Sequence, residues 1–159
     1  MIAGVAGGTG VLDTVAGPTT LCDIDNVLGR VWSACTHVPD RVRLQMGIAV
    51  AEIGANIIEH AGRSRSVRMR MEVHVLRNEV RVCFVDDGFP AQIDLGAVRG
   101  VDEWAERGRG LAMAQSVLER LCYTRNRVNH WTLVSRQFGD GRVRSQASRD
   151  SCTWLPGAP

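Results

Sequence analysis

Lysine is missing from this chain: all 19 basic residues are arginine. That absence removes whole mechanisms. A P-loop nucleotidase needs the lysine of GxxxxGK[ST], a protein kinase of the eukaryotic type needs its strand lysine, and Schiff-base chemistry needs an amine. There is no CxxC pair, and the five cysteines are scattered and odd in number. A disulfide framework or a zinc site is therefore not expected, and a reducing, cytoplasmic setting fits best. No apolar run approaches the ~18 residues of a membrane-spanning helix. The opening MIAGVAGGTG lacks the basic and long apolar regions of a signal peptide. Charge of one sign is lacking too: 19 Arg against 17 Asp plus Glu leave a net charge of +2, which points to neither a nucleic-acid nor a membrane partner. What is present is ordinary globular material, 159 residues with 45% hydrophobic content, enough for one domain with a packed core.

Along the chain, residues 1–9 are Gly-rich and expected to be a flexible start, followed by a short strand over 11–16. Leu21, Ile24, Val27, Leu28, Val31 and Trp32 recur at helical spacing and predict a helix over 20–35. A second helix is expected over 40–60, with Asp40 as N-cap and Leu44, Ile48, Ala51, Ala55 and Ile58 as its apolar face. Strict alternation in Val67, Met69, Met71, Val73 and Val75, then in Val80, Val82 and Phe84, predicts an antiparallel hairpin over 67–85. Residues 86–109 read as a long Gly-containing loop, a feature that often carries function in a small domain. A helix over 110–122, a closing hairpin from 123–127 and 131–138, and a disordered tail over 139–159 complete the plan. The layout predicts an α+β two-layer sandwich, with helices on one face of a mixed, mainly antiparallel sheet and the domain spanning 10–138.

Three stretches could carry chemistry. Glu52, Asn56 and His60 fall at i, i+4 and i+8 on the second helix, placing a carboxylate, a carboxamide and an imidazole along one edge. Val85-Asp86-Asp87-Gly88-Phe89-Pro90 puts an acid at a strand end, where it could accept a hydrogen bond from a ligand amine such as that of adenine. Glu106-Arg107-Gly108-Arg109-Gly110-Leu111 leads a GxG stretch into a helix, whose free N–H groups and dipole favour an anion such as phosphate. Singly, each has a bland reading: a solvated helix edge, an Asp-Gly turn and a Gly-rich hinge.

Their order changes the weighing. Glu52-x-x-x-Asn56-x-x-x-His60, then Asp86-x-Gly88-x-Pro90, then Gly108-x-Gly110-Leu111 resemble the N, G1 and G2 boxes of the GHKL (histidine-kinase-like) ATPase superfamily. The branch most resembled is the anti-sigma factor serine/threonine kinases of the RsbW and SpoIIAB group. The resemblance implies a Bergerat fold that binds ATP with Mg²⁺. It implies Asn56 as the Mg²⁺ ligand, Glu52 as catalytic base, Asp86 on the adenine amino group with Gly88 shaping that pocket, and Gly108, Gly110 and Leu111 at the phosphates. It places Thr132 near the adenine by a looser match. Arg107 and Arg109 are assigned to the γ-phosphate from position alone. The implied partners are a sigma factor and a STAS-domain antagonist, with a possible homodimer.

Histidine kinases share the superfamily, but the stretch before the first helix shows no phosphoacceptor and dimerisation module. Two rivals stand beside the kinase: a nucleotide-binding module that sequesters a partner without catalysis, and a DNA-binding regulator, which the small net charge disfavours. Trp104 is a candidate reporter of loop closure. Arg63, Arg65, Arg68 and Arg70 form a solvated strand face or, less simply, a docking patch for an acidic partner.

Overall fold

The computed structural model describes residues 1–6, 8–61, 66–91 and 109–139, with residues 2–6, His60, Ala61 and Arg109 described in their backbone only. The predicted α+β sandwich is present. Its strands are β1 (Ile2–Ala6), β2 (Thr9–Val15), β3 (Arg68–Val75), β4 (Val80–Asp86), β5 (Arg120–Asn126) and β6 (Val128–Val134). They form one sheet in the order β1-β2-β3-β4-β6-β5, and every neighbouring pair among the described strands is antiparallel. The sheet is thus antiparallel rather than mixed. Helices α1 (Thr20–Ala34), α2 (Asp40–Ala61) and α3 (Arg109–Val117) make up the second layer. No described helix is long and apolar enough to cross a membrane.

Alternation decides which sheet face the helices cover. Met69, Met71 and Val73 of β3, Val80, Val82 and Phe84 of β4, and Trp131 and Leu133 of β6 are buried against the helical layer. Each sits two residues from the next, so all point the same way. The helices answer with Val27 and Val31 of α1 and Met46, Val50 and Ile53 of α2, all at zero exposure. Arg43 pins the turn between them. Its guanidinium donates to the carbonyls of Val38 (2.8 Å), Thr36 (3.2 Å) and Cys35 (3.4 Å), satisfying acceptors that the end of α1 leaves open. Gly54 lets α1 and α2 approach closely, since a β-carbon there would lie 2.8 Å from Ile24 Cδ1.

Three expectations are corrected. The Gly-rich start, expected to be flexible, forms edge strand β1, in register from Ile2 opposite Asp13 to Ala6 opposite Thr9. Backbone pairing does not need side chains, so a Gly-rich composition does not exclude it. The apolar stripe assigned to α2 lies on the wrong side: Leu44 is 66% exposed and Ala51 is exposed, while Val42, Met46, Ala49, Val50, Ile53 and Ile57 are buried. The helix is apolar on two opposite faces, and only packing selects between them. The third helix stops at Val117 rather than at 122. Leu118 and Leu121 fit a helical step of three, but Glu119 N–H donates to Val134 O (3.0 Å) and draws the chain into β5. The closing hairpin is accordingly shifted and turns at Arg127, with φ of 63°. Residues 92–108, which include Trp104, and 140–159 lie outside the described residues.

Candidate nucleotide site

Asp86 is the inner-face residue that follows Val80, Val82 and Phe84 at the end of β4, so the alternation that buries those side chains buries its carboxylate as well, at 4% exposure. One oxygen, Oδ1, accepts from the backbone N–H of Gly88 (3.0 Å) and from Asn129 Nδ2 (2.7 Å). The other, Oδ2, is buried with no hydrogen-bond partner. An unsatisfied buried acceptor costs roughly 1–3 kcal/mol and calls for a donor. Gly88 has a steric reason to be glycine, because a β-carbon there would sit 2.8 Å from Asp86 Oδ1 and 3.6 Å from Val67.

Asn129 is a member of this cluster that sequence reading missed. It is 3% exposed and stands directly opposite Asp86 across the β4–β6 ladder. Its amide nitrogen also donates to Phe89 O (2.9 Å), and its oxygen accepts from Tyr123 OH (2.8 Å) and Arg125 Nη1 (2.6 Å). The signal was available in the alternation Asn129, Trp131, Leu133, which places an amide on a buried strand face, where an unpaired polar group is costly. The hairpin boundary drawn at 131 left Asn129 in a turn.

Thr132, assigned to the adenine, is not brought to this cluster. It pairs with Cys83, not Asp86, and therefore lies on the outer face of the sheet, with Cys83 Sγ 4.0 Å from its hydroxyl. A shift of three residues along a strand changes face, because the side-chain period is two. The same outer face carries Arg68 and Arg70, both exposed, with Arg70 paired to Glu72 (2.7 Å) and Asp13 (3.5 Å). Arg63 and Arg65 lie outside the described residues.

The second group comes from the helices. Glu52 and Asn56 sit one turn apart on α2, both half-buried, next to the buried Ile53 and Ile57. Helix α2 packs on the inner face of β4, the face that carries Asp86, and on α3. Glu52 lies directly against the first turn of α3: a β-carbon on Gly110 would overlap its carboxylate, and Gly110 is the residue type that leaves room. The N-terminal turn of a helix attracts negative charge through its free N–H groups and dipole. Leu111, in the same turn, is buried in the core and anchors it. Two of the three predicted boxes therefore meet, Glu52 with Gly110. Arg107 and Gly108 lie outside the described residues, as do the side chains of His60 and Arg109.

The donor set suits Mg²⁺ and a nucleotide. Asn56 offers a hard oxygen ligand, and Mg²⁺ is commonly held by one or two protein groups with phosphate completing the shell. Asp86 Oδ2 offers a buried acceptor for an exocyclic amine. A two-layer α+β domain with such a site, an acid at a strand end and a glycine-bearing helix start facing a carboxylate, is of the kind that binds nucleotides between helices and sheet. Comparison with protein families identifies it further. The model of the histidine kinase-like ATPase domain matches residues 16–135, and the chain belongs to that family. No curated protein matches the chain. Among solved structures it is similar to the histidine kinase domain of the blue-light activated histidine kinase from Erythrobacter litoralis EL346, at 22% identity and a TM-score of 0.49. That similarity covers 69% of this chain and 59% of the other.

Proposed function

We propose that this ATP-binding domain is a serine/threonine protein kinase and anti-sigma factor, acting on a Ser or Thr of a STAS-domain antagonist in a partner-switching system. The family is that of an ATPase domain. The observation that carries the nucleotide reading is the buried, partnerless Oδ2 of Asp86, which suits the amino group of adenine. The finer assignment rests on the order Glu52-x-x-x-Asn56, Asp86-x-Gly88, Gly108-x-Gly110, which resembles the anti-sigma serine kinases.

Bound Mg-ATP would supply the transferable phosphoryl group. The chain's residues bind and orient around it. Asp86 would accept the amine hydrogen bond, and Asn56 would supply an oxygen to the metal. Glu52 takes the proton from the attacking hydroxyl, a role that requires a carboxylate within hydrogen-bond reach and contributes about 10²–10⁴ in rate. Phosphoryl transfer asks a protein mainly for positioning and charge stabilisation, and the closeness of the first turn of α3 to Glu52 supports that reading. Sigma factor and antagonist are the proposed partners, with a homodimer as the proposed assembly.

Thermal unfolding with and without ATP and Mg²⁺ tests the site. At ~100 times its Kd a ligand stabilises by about 2.7 kcal/mol, several degrees for a domain of this size. The expected result is a Mg²⁺-dependent shift in wild type that is lost in Asn56→Ala and Asp86→Asn. Transfer of labelled phosphate to a STAS partner tests the activity. Turnover at the wild-type rate in Glu52→Gln refutes the base. A robust nucleotide shift with no transfer to any STAS partner replaces the kinase with a sequestering module.

A further inference from the structure

The hydrogen bonds around Asp86 have only one consistent set of proton directions, and its source lies on edge strand β5. Arg125 has no acceptor atom, so whatever it contacts must present oxygen. Its Nη1 donates to Asn129 Oδ1 (2.6 Å) and to the carbonyl of Gly88 (3.1 Å). The backbone N–H of Ala91 donates to Tyr123 OH (2.9 Å), so the phenol's own proton goes to Asn129 Oδ1 (2.8 Å). The Asn129 carboxamide, which could otherwise face either way, is thereby held with its NH₂ toward Asp86 Oδ1 and Phe89 O. The same groups grip residues 88, 89 and 91 of the loop after β4. The carboxylate of Asp86 is left with Oδ1 saturated by two donors and Oδ2 bare and buried.

We propose that Tyr123 and Arg125 are positioning residues which act through Asn129 to lock the Asp86 carboxylate as a fixed, acceptor-only contact, and that this lock makes the site select a 6-amino purine over a 6-oxo purine. The proposal rests on the adenine-nucleotide reading of the site. Its chemistry is simple. A 6-oxo group would set acceptor against acceptor in a buried place. A carboxylate free to rotate could instead take the N1–H of the oxo base. Rejection of the wrong base therefore depends on the carboxylate's orientation, not only on its presence.

The test is competition binding of ATP and inosine triphosphate to the full chain, for wild type, Tyr123→Phe, Arg125→Met and Arg125→Lys. These variants leave the buried Asp86 and Asn129 in place, and Arg125 is itself exposed, so folding is retained. Thermal unfolding without nucleotide verifies it. The expected result is a wild-type preference for ATP of at least about tenfold, one mismatched hydrogen bond's worth. In Arg125→Met and Tyr123→Phe the ratio should fall by at least about threefold, through weaker ATP binding with inosine triphosphate binding held or improved. Arg125→Lys, still a donor without an acceptor, should recover part of the preference. If the variants weaken both nucleotides equally, the residues are merely structural and the proposal is overturned while the adenine reading stands. If wild type binds neither nucleotide, the adenine reading fails and takes the proposal with it.

Discussion

At the residue scale, glycine acts here mainly by what it leaves out. Gly88 clears space for the Asp86 carboxylate, Gly110 for that of Glu52, and Gly54 for Ile24. None of the three has a positive φ, so their use is close approach rather than unusual backbone geometry. Gly110 yields a sharp expectation. Gly→Ala inside a helix ordinarily stabilises by about 0.5–1 kcal/mol. Here the new methyl overlaps the end of the flexible Glu52 side chain, which must swing aside. Gly110→Ala should therefore stabilise by less in urea unfolding than it does in a Glu52→Ala background, where the methyl has room. Two independent, additive effects would contradict the contact. Glu52 and Gly110 were each legible in the sequence as members of a motif. That their atoms touch was not, since they are far apart in the chain and meet only where α2 packs on α3.

At the element scale, α2 shows why a periodic pattern can name the element and mistake its face. Leu44, Ile48, Ala51, Ala55 and Ile58 repeat as regularly as Val42, Met46, Ala49, Val50, Ile53 and Ile57, and helical spacing alone ranks them equally. The sheet decides: its alternation presents Phe84, Val82 and Met71 to one side only, and α2 turns its bulkier set toward them. Met46→Ala should accordingly cost about 2–5 kcal/mol, as the loss of a fully buried side chain does. Leu44→Ala should stay within about 0.5 kcal/mol, as exposed substitutions do. Equal losses in chemical denaturation would restore the original assignment. The third helix teaches the same lesson. Leu121 satisfies both a helical step from Leu118 and an inward position of β5, opposite Leu133, and the bond from Glu119 N–H to Val134 O chooses the strand.

At the scale of the whole molecule, the two faces of the sheet have different chemistry. The inner face supplies the core and Asp86. The outer face carries a charged cluster and Cys83, whose thiol burial pushes up to about 11, only partly offset by its contact with Thr132. The sign follows from where the proton sits. An unfolded chain releases it near the ordinary thiol value of about 8.5, while the folded chain holds it until about 11. Between these values the folded state binds more protons, so stability falls as pH rises and is complete below that window. Urea unfolding from about pH 7.5 to about pH 10 should fall more steeply for wild type than for Cys83→Ala. A thiol reagent near pH 8 should modify exposed Cys22 and spare Cys83 in the folded protein. Parallel stability profiles would remove the buried thiol from the account.

The α+β class, the hairpin of β3 and β4, the extents of α1 and α2, and the residues of the Asn56 and Asp86 boxes are local properties of this chain. Spacing, turn residues and alternation within a few neighbours determine them, so the sequence by itself was enough. The pairing of β1, the buried face of α2, the start of β5, the contact between Glu52 and Gly110, and the replacement of Thr132 by Asn129 beside Asp86 belong to tertiary structure. Each depends on which of two locally equivalent choices leaves a buried polar group partnered or a bulky side chain enclosed. That comparison exists only once distant segments are in contact: a strand register that differs by one residue reverses every side chain, and no pattern within the strand records which register its neighbour will accept.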